Sequence, residues 1–356
     1  VRILQRKTRE RTQTRKNRER IEKKRSAEGI SVFLFLKVSC YGIIAPVIIL
    51  DKHVSVLREE AISYLNIRPE GTYVDMTLGG GGHSAEILKR LTSGRLFACD
   101  QDLYAIKRAK EVLEPSENVV YIHDNFRHIR DQLAQHDVQS VDGFLFDLGV
   151  SSFQFDIPER GFSYQFDARL DMRMNEDSSL TAYEIVNTYK EKALADVMFR
   201  YGEEPYARMI ARKIVDQRLI SPIETTFELV DIIKTALPTK VLRQKGHPAK
   251  RVFQALRIAV NDELGALEQA LNDAITMLRP KGRIVTITFH SLEDRICKHI
   301  FQKWATIELP KNVAIISHEK PILNILTKRV VIPSEAEILA NNRAHSAKLR
   351  AVEKRG

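Results

Sequence analysis

The sequence predicts an α/β protein: a mainly parallel sheet carrying an inserted all-helical segment. Three observations predict it. Short apolar runs alternate with helical patterns from Asp51 to Asp147. One of the turns between them holds four consecutive glycines, Gly79 to Gly82. From about Phe155 to Pro248 the strand signal stops and helical periodicity takes over, after which the alternation resumes. Short, nearly continuous apolar strands separated by helices imply a parallel sheet covered on both faces.

The elements follow in order. Tyr73–Thr77 is an apolar strand that enters the glycines, and Ala85, Ile87, Leu88 and Leu91 mark a helix over Ser84–Leu91. Further strands are expected at Arg95–Asp100, Val119–Ile122, Gly143–Leu148 and Arg283–Phe289, with helices at Leu103–Leu113 and Ile129–Gln135. In the insertion, Ala193, Val197, Met198 and Tyr201 share a helical face, as do Leu229, Ile232, Ile233 and Leu237. One long amphipathic helix is expected to carry Leu256, Val260, Leu264, Leu267, Leu271, Ile275 and Leu278, ended by Pro280 and Gly282. Strands are expected at Val313–Ile316 and Thr327–Ile332, then a polar tail. The resulting segments are 1–49, a basic and apolar extension; 50–155, the first part of the sheet domain; 156–248, the helical insertion; and 249–356, the rest of the sheet domain with its tail.

Net charge is +10, but residues 1–49 hold 13 Lys/Arg against four Glu, so the remainder is close to neutral. Basic surface in the body must therefore come from local clusters. The stretch 1–49 runs from basic residues into the apolar segment Ser31–Leu50. It is expected to be upstream sequence that is not native or is disordered. A membrane anchor and a basic RNA-binding arm are the alternatives. Without an anchor there is no membrane partner. Three widely spaced cysteines, Cys40, Cys99 and Cys297, give neither a disulfide framework nor a zinc site, and a reducing cytoplasm is the expected compartment. No metal-ligand set is visible.

Glycines let a backbone approach a ligand closely, and the helix start behind them offers free N–H groups. Gly80-x-Gly82-x-x-Ala85, with Asp100 at the end of the second strand, fits a dinucleotide fingerprint, so NAD is one reading. Two residues favour S-adenosyl-L-methionine instead. Asp75, just before the glycines, is placed to receive a cationic amino group and would repel a pyrophosphate. Asp147-Leu148-Gly149-Val150-Ser151-Ser152 puts a polar cluster at the carboxyl end of a central strand, where open α/β sheets bind ligands.

These residues belong to a wider pattern. His53-Val54-x-Val56-Leu57, Gly79-Gly80-Gly81-Gly82-His83-Ser84, the Asp147 cluster, Glu159-Arg160-Gly161-Phe162-Ser163, Leu170-Asp171-Met172-Arg173-Met174, His247-Pro248-Ala249-Lys250-Arg251, Asn261-Asp262-Glu263-Leu264, Phe289-His290-Ser291-Leu292-Glu293-Asp294-Arg295 and Ser346-Ala347-Lys348-Leu349-Arg350 occur in that order. From about Leu50 to Lys354 the chain resembles the bacterial small-subunit ribosomal RNA N(4)-cytosine methyltransferases, the methyltransferase H family. The resemblance implies a Rossmann-like class I methyltransferase domain, S-adenosyl-L-methionine as methyl donor, and one cytidine in the decoding region of 16S ribosomal RNA as target. It implies cofactor contacts at Gly81, Gly82, His83, Asp100, Phe126, Asp147 and Gln154, and leaves a homodimer open. Arg169, Asn342 and His345 depart from the family's usual Pro, Pro and Arg.

The exocyclic amine of cytosine is a weak nucleophile, so positioning against the sulfonium methyl and an acceptor for the amine hydrogens are what catalysis requires. Asp147 is the first candidate acceptor, and His290, after the fifth strand, the second. Carbon-5 methylation would need a cysteine nucleophile and is disfavoured. Arg208, Arg212, Lys213 and Arg218, and then Lys240, Arg243, Lys245, Lys250 and Arg251, are candidate phosphate contacts. A NAD-dependent oxidoreductase and a non-catalytic RNA-binding assembly protein are the competing functions.

Overall fold

The computed structural model describes residues 55–113, 115–307 and 320–356. The expectations for the N-terminal extension and for a strand at Val313–Ile316 lie outside them. Seven strands form one sheet: β1 Thr72–Asp75, β2 Arg95–Asp100, β3 Val119–His123, β4 Val141–Asp147, β5 Leu278–Thr288, β6 Leu323–Ile325 and β7 Lys348–Lys354. Their order is β3-β2-β1-β4-β5-β7-β6. β1 to β5 are parallel, and β7 runs antiparallel between β5 and β6. β4 is buried from Val141 to Phe146, which is why it reads as a continuous apolar run.

The C-terminus corrects the expected polar tail. Lys348–Lys354 is an interior strand with Leu349, Ala351 and Val352 buried. Its charged residues are paired: Arg350 with Asp294 at 2.7 Å and Glu353 with Arg283 at 3.0 Å. The strand expected at Thr327–Ile332 is reduced to a single bridge, Val331 to Leu349.

The long amphipathic helix is also corrected. It is two helices, Lys250–Asn261 and Glu263–Met277, broken at Asp262, whose φ is 45°. Asn261 explains the break. Its side-chain Oδ1 accepts the Met174 N–H at 2.8 Å and its Nδ2 donates to the Met172 carbonyl at 2.8 Å, tying the helix end to the insertion. Beyond the kink, Ala266, Leu267, Ala270, Leu271, Ala274 and Ile275 cover the sheet.

Helices Ala182–Thr188, Glu191–Gly202, Ala207–Arg218 and Thr226–Ala236 pack around a core of their own. Helix Lys250–Asn261 gives Val252, Phe253, Ala255 and Leu256 to that core, although the sequence places it with the sheet. Among the described residues, no helix is long and apolar enough to cross a membrane.

Candidate active site

A cleft of about 1110 Å³, part of it open solvent, lies at the carboxyl ends of β1, β2 and β4. After β1 the chain turns through Gly79 (φ 49°) and Gly81 (φ 79°) into helix Gly82–Leu88. These left-handed angles suit glycine. A Cβ on Gly82 would run into the Ser55 hydroxyl.

Of the candidate residues, Gly82, His83, Asp100, Phe126, Asp147 and Gln154 line this cleft. Gly81 does not. Its Cα side faces the next helix, where a Cβ would stand 3.3 Å from Ala109 Cβ. Gly81 therefore shapes the turn, while Gly79 and Gly80 line the cleft beside Gly82. Asp75 is a second departure. It is 1% exposed and absent from the lining, with its Oδ2 accepting the Ser84 hydroxyl at 2.7 Å and its Oδ1 the Thr77 N–H at 3.1 Å. Burial, only partly offset by these hydrogen bonds, raises its pKa. It braces the turn from beneath and does not line the cleft.

Asp100 ends β2. Its Oδ2 accepts the Gly79 N–H at 2.8 Å and its Oδ1 the Asp102 N–H at 2.9 Å. Burial pushes its carboxyl up from 3.8 to about 7 against these hydrogen bonds. A carboxyl whose folded pKa is raised favours the folded state when protonated. In the ligand-free protein its contribution to stability is therefore expected to fall as pH rises from 3.8 to about 7. Carboxyl-carbon NMR of the free protein checks this, with a titration midpoint near the lower figure contradicting it.

Phe126 sits in a short turn capped by Asn125 and meets Phe146 edge-on, with centroids 6.2 Å apart. Gln154 is buried, and its amide is spoken for: Oε1 accepts the Ser151 N–H at 3.1 Å and Nε2 donates to Asp102 at 2.8 Å. It positions the loop after β4 against the loop after β2.

Asp147 ends β4, its N–H donating to Thr77 Oγ1 at 2.7 Å. Its Oδ2 stands 3.3 Å from His83 Nε2. Its Oδ1 and the Nδ1 of His83 are buried without a hydrogen-bond partner. Unpaired buried polar groups are costly and call for a partner. Both residues line the cleft, where the Asp147 carboxylate suits a polar, cationic ligand.

His290 is not in the lining, although its neighbour Phe289 and Glu293 are. It caps helix Ser291–Ala305, where Nδ1 accepts the Glu293 N–H at 3.4 Å and Nε2 lies 3.1 Å from Glu293 Oε1. Glu263, His290 and Glu293 bring potential metal-ligand atoms within 4.8 Å of one another. An accepting Nδ1 leaves the ring proton on Nε2, however, and Glu263 already holds Arg257 through two hydrogen bonds of 2.8 Å. Glu293 is likewise committed, accepting the N–H groups of Phe289 and His290 at 2.8 and 3.2 Å.

Sequence reasoning missed Ser55, Met174, Asn261 and Glu263 in the lining. It also missed the buried pair Arg160 and Asp102, 3.0 Å apart, behind Gln154. Arg160, Met174, Asn261 and Glu263 all stand within quoted motifs, which was the one available signal. Arg218, a phosphate candidate, instead donates to the carbonyls of Val186 and Tyr189 at 2.7 and 2.6 Å.

A parallel sheet closed by an antiparallel β7, with a glycine turn after β1 and carboxylates ending β2 and β4, defines a class I methyltransferase that uses S-adenosyl-L-methionine. The chain belongs to the MraW methylase family, whose profile matches residues 51–355. This sets aside the dinucleotide reading. The chain is 52% identical over 307 residues to the ribosomal RNA small subunit methyltransferase H of Streptococcus equi, covering 85% of this chain and 97% of that one. The protein of the same name from Lactobacillus gasseri is 50% identical over 311 residues, covering 85% and 99%. A solved rRNA methylase from Streptococcus thermophilus aligns over 84% of this chain and 94% of its own at 11% identity and TM-score 0.36, too loose a likeness to bear on the assignment.

Proposed function

We propose that this protein methylates N4 of a cytidine in the decoding region of 16S ribosomal RNA, in the cytoplasm, with S-adenosyl-L-methionine as donor. The observation that carries the reading is Asp147, a carboxylate at the end of β4 that lines the cleft with His83 behind it, in a chain half identical to small-subunit RNA methyltransferases. The cofactor supplies an activated methyl. The chain's residues supply the rest. Gly79, Gly80 and Gly82 allow close approach, Asp100 accepts ribose hydroxyls, Phe126 covers the adenine, and Asp147 accepts the amine hydrogens. The two cysteines among the described residues argue against carbon-5 chemistry. Burial pushes the Cys99 thiol well above its ordinary range and Cys297 to about 12, so neither is a thiolate at neutral pH.

The test is methyl transfer from labelled cofactor to small ribosomal subunits, followed by identification of the nucleoside. N4-methylcytidine is expected; a carbon-5 product or no incorporation overturns the reading.

Ribose donation to Asp100 favours its ionised form. Binding at pH 6 is therefore expected to release a proton, measured by calorimetry in buffers of different ionisation heat.

The insertion is proposed to hold the RNA. Lys240, Arg243, Lys245, Lys250 and Arg251 are exposed along its last loop and the helix that follows. Replacing Arg243 and Lys245 together by alanine is expected to reduce the slope of log affinity against log salt by about 1 to 2. An unchanged slope would remove these residues from the interface.

A further inference from the structure

We propose that His83 and Asp147 work as one proton-accepting pair, in which His83 acts through Asp147 to take up the proton that the amine loses on methylation. This deepens the function proposed above and rests on the acceptor being an amine.

The geometry is specific. His83 lies in the first turn of helix Gly82–Leu88, is 4% exposed, and borders the cleft. Its Nε2 faces Asp147 Oδ2 at 3.3 Å, within reach of an ion pair and of proton transfer between the two. Its Nδ1 has no hydrogen-bond partner, so the polarity of the buried ring is directed at Asp147. A buried histidine kept only for packing would be better replaced by an apolar side chain. What this arrangement does provide is a basic group one carboxylate away from the cleft.

The surrounding charges are Asp147 at the end of β4, Asp75 at the end of β1, and Arg58 on helix Arg58–Leu65. Burial lowers the His83 pKa and Arg58 works in the same direction. The hydrogen bond to Asp147 and the charges of Asp147 and Asp75 outweigh them, and the net shift is upward.

The step balances as follows. The amine lone pair forms the N4–CH3 bond while the S–CH3 bond breaks, its electron pair remaining on sulfur. The N4–H bond breaks with its pair remaining on nitrogen, and Asp147 receives the proton. That proton comes to rest on His83 Nε2, leaving an imidazolium beside a carboxylate, and leaves to solvent with the products. The timing follows from electrostatics. A sulfonium in the cleft disfavours a second positive charge nearby, so His83 is neutral and ready before transfer. Once the sulfur is a neutral thioether, the imidazolium is no longer opposed.

The test compares S-adenosylmethionine with S-adenosylhomocysteine, which differ by that charge. Asp100 meets the same ribose in both, so its proton cancels. Calorimetric titration of the full chain with each ligand at pH 6 to 9, in buffers of different ionisation heat, counts the linked protons. The sulfonium ligand is expected to leave the protein with fewer bound protons than the thioether, by up to about one. His83→Gln is expected to erase the difference and to lower kcat about 10- to 100-fold.

Nitrogen-15 histidine spectra of the unaltered chain give a reading that needs no variant. The His83 ring should be cationic with the thioether and neutral with the sulfonium at one pH. Equal proton counts for the two ligands, or a difference that survives in His83→Gln, would overturn the pair. No RNA is present in these measurements. Equal counts in an enzyme that makes N4-methylcytidine overturn the pair alone; a carbon-methylated product overturns the function.

Discussion

Asp147→Asn is expected to lower kcat by about 10²- to 10⁴-fold, the range for removing a positioned proton acceptor. The substitution keeps the size of the side chain and leaves the Asp147 N–H on Thr77 undisturbed. What it removes is the charge on a cleft-lining carboxylate with a histidine behind it. Affinity for S-adenosylhomocysteine is expected to change by less than about tenfold, because the glycine turn and Asp100 are untouched. Single-turnover methyl transfer on small ribosomal subunits, with thioether binding measured alongside, checks both halves. Near-normal turnover would remove Asp147 from the chemistry. Equal losses in binding and turnover would make it a cofactor ligand only.

Arg160→Met is expected to destabilise the protein by about 3 to 5 kcal/mol, the usual effect of removing one partner of a buried ion pair. The Arg160 side chain is 10% exposed and that of Asp102 3%. Besides Asp102, the guanidinium donates to the carbonyls of Arg173 and Met174 at 2.9 and 3.1 Å. Its loss would leave the buried Asp102 carboxylate without a countercharge, held only by Gln154 and the Tyr104 N–H. Asp102 also caps the helix that follows by accepting the Tyr104 N–H at 3.0 Å. Asp102→Asn keeps that cap without the charge, so adding it to Arg160→Met is expected to recover much of the loss. Denaturant midpoints of the three variants test this. A loss below about 1 kcal/mol for Arg160→Met, the value of an exposed pair, would show that the ion pair is not the clasp described.

The first half of the sheet was legible because β1, β2 and β4 are buried on both faces, so their burial is written as apolar runs between helical patterns. β7 was not. Lys348, Arg350 and Glu353 gave it the look of a solvent tail, because their partners Asp294 and Arg283 lie 54 or more residues away. The kink at Asp262 was hidden for a similar reason. Leu256 to Leu278 keep helical spacing across it, and the break comes from Asn261 reaching the carbonyl of Met172 and the N–H of Met174.

The site divides in the same way. Asp100 and Asp147 could be read as strand-end carboxylates, and the structure brings both to one cleft. Asp75 has the same local signature, yet it turns under the loop to Ser84 and Thr77. Among the glycines, sequence pointed to Gly81 and Gly82, while the structure turns Gly81 towards Ala109 and lines the cleft with Gly79, Gly80 and Gly82. The sequence by itself determined the alternating sheet, the glycine turn and the family, because local periodicity and contiguous motifs carry those. Tertiary structure decided which carboxylates face the cleft, that Arg160 clasps Asp102, and that His83 stands behind Asp147. Those depend on side-chain direction and on partners remote in the chain, which no local pattern records.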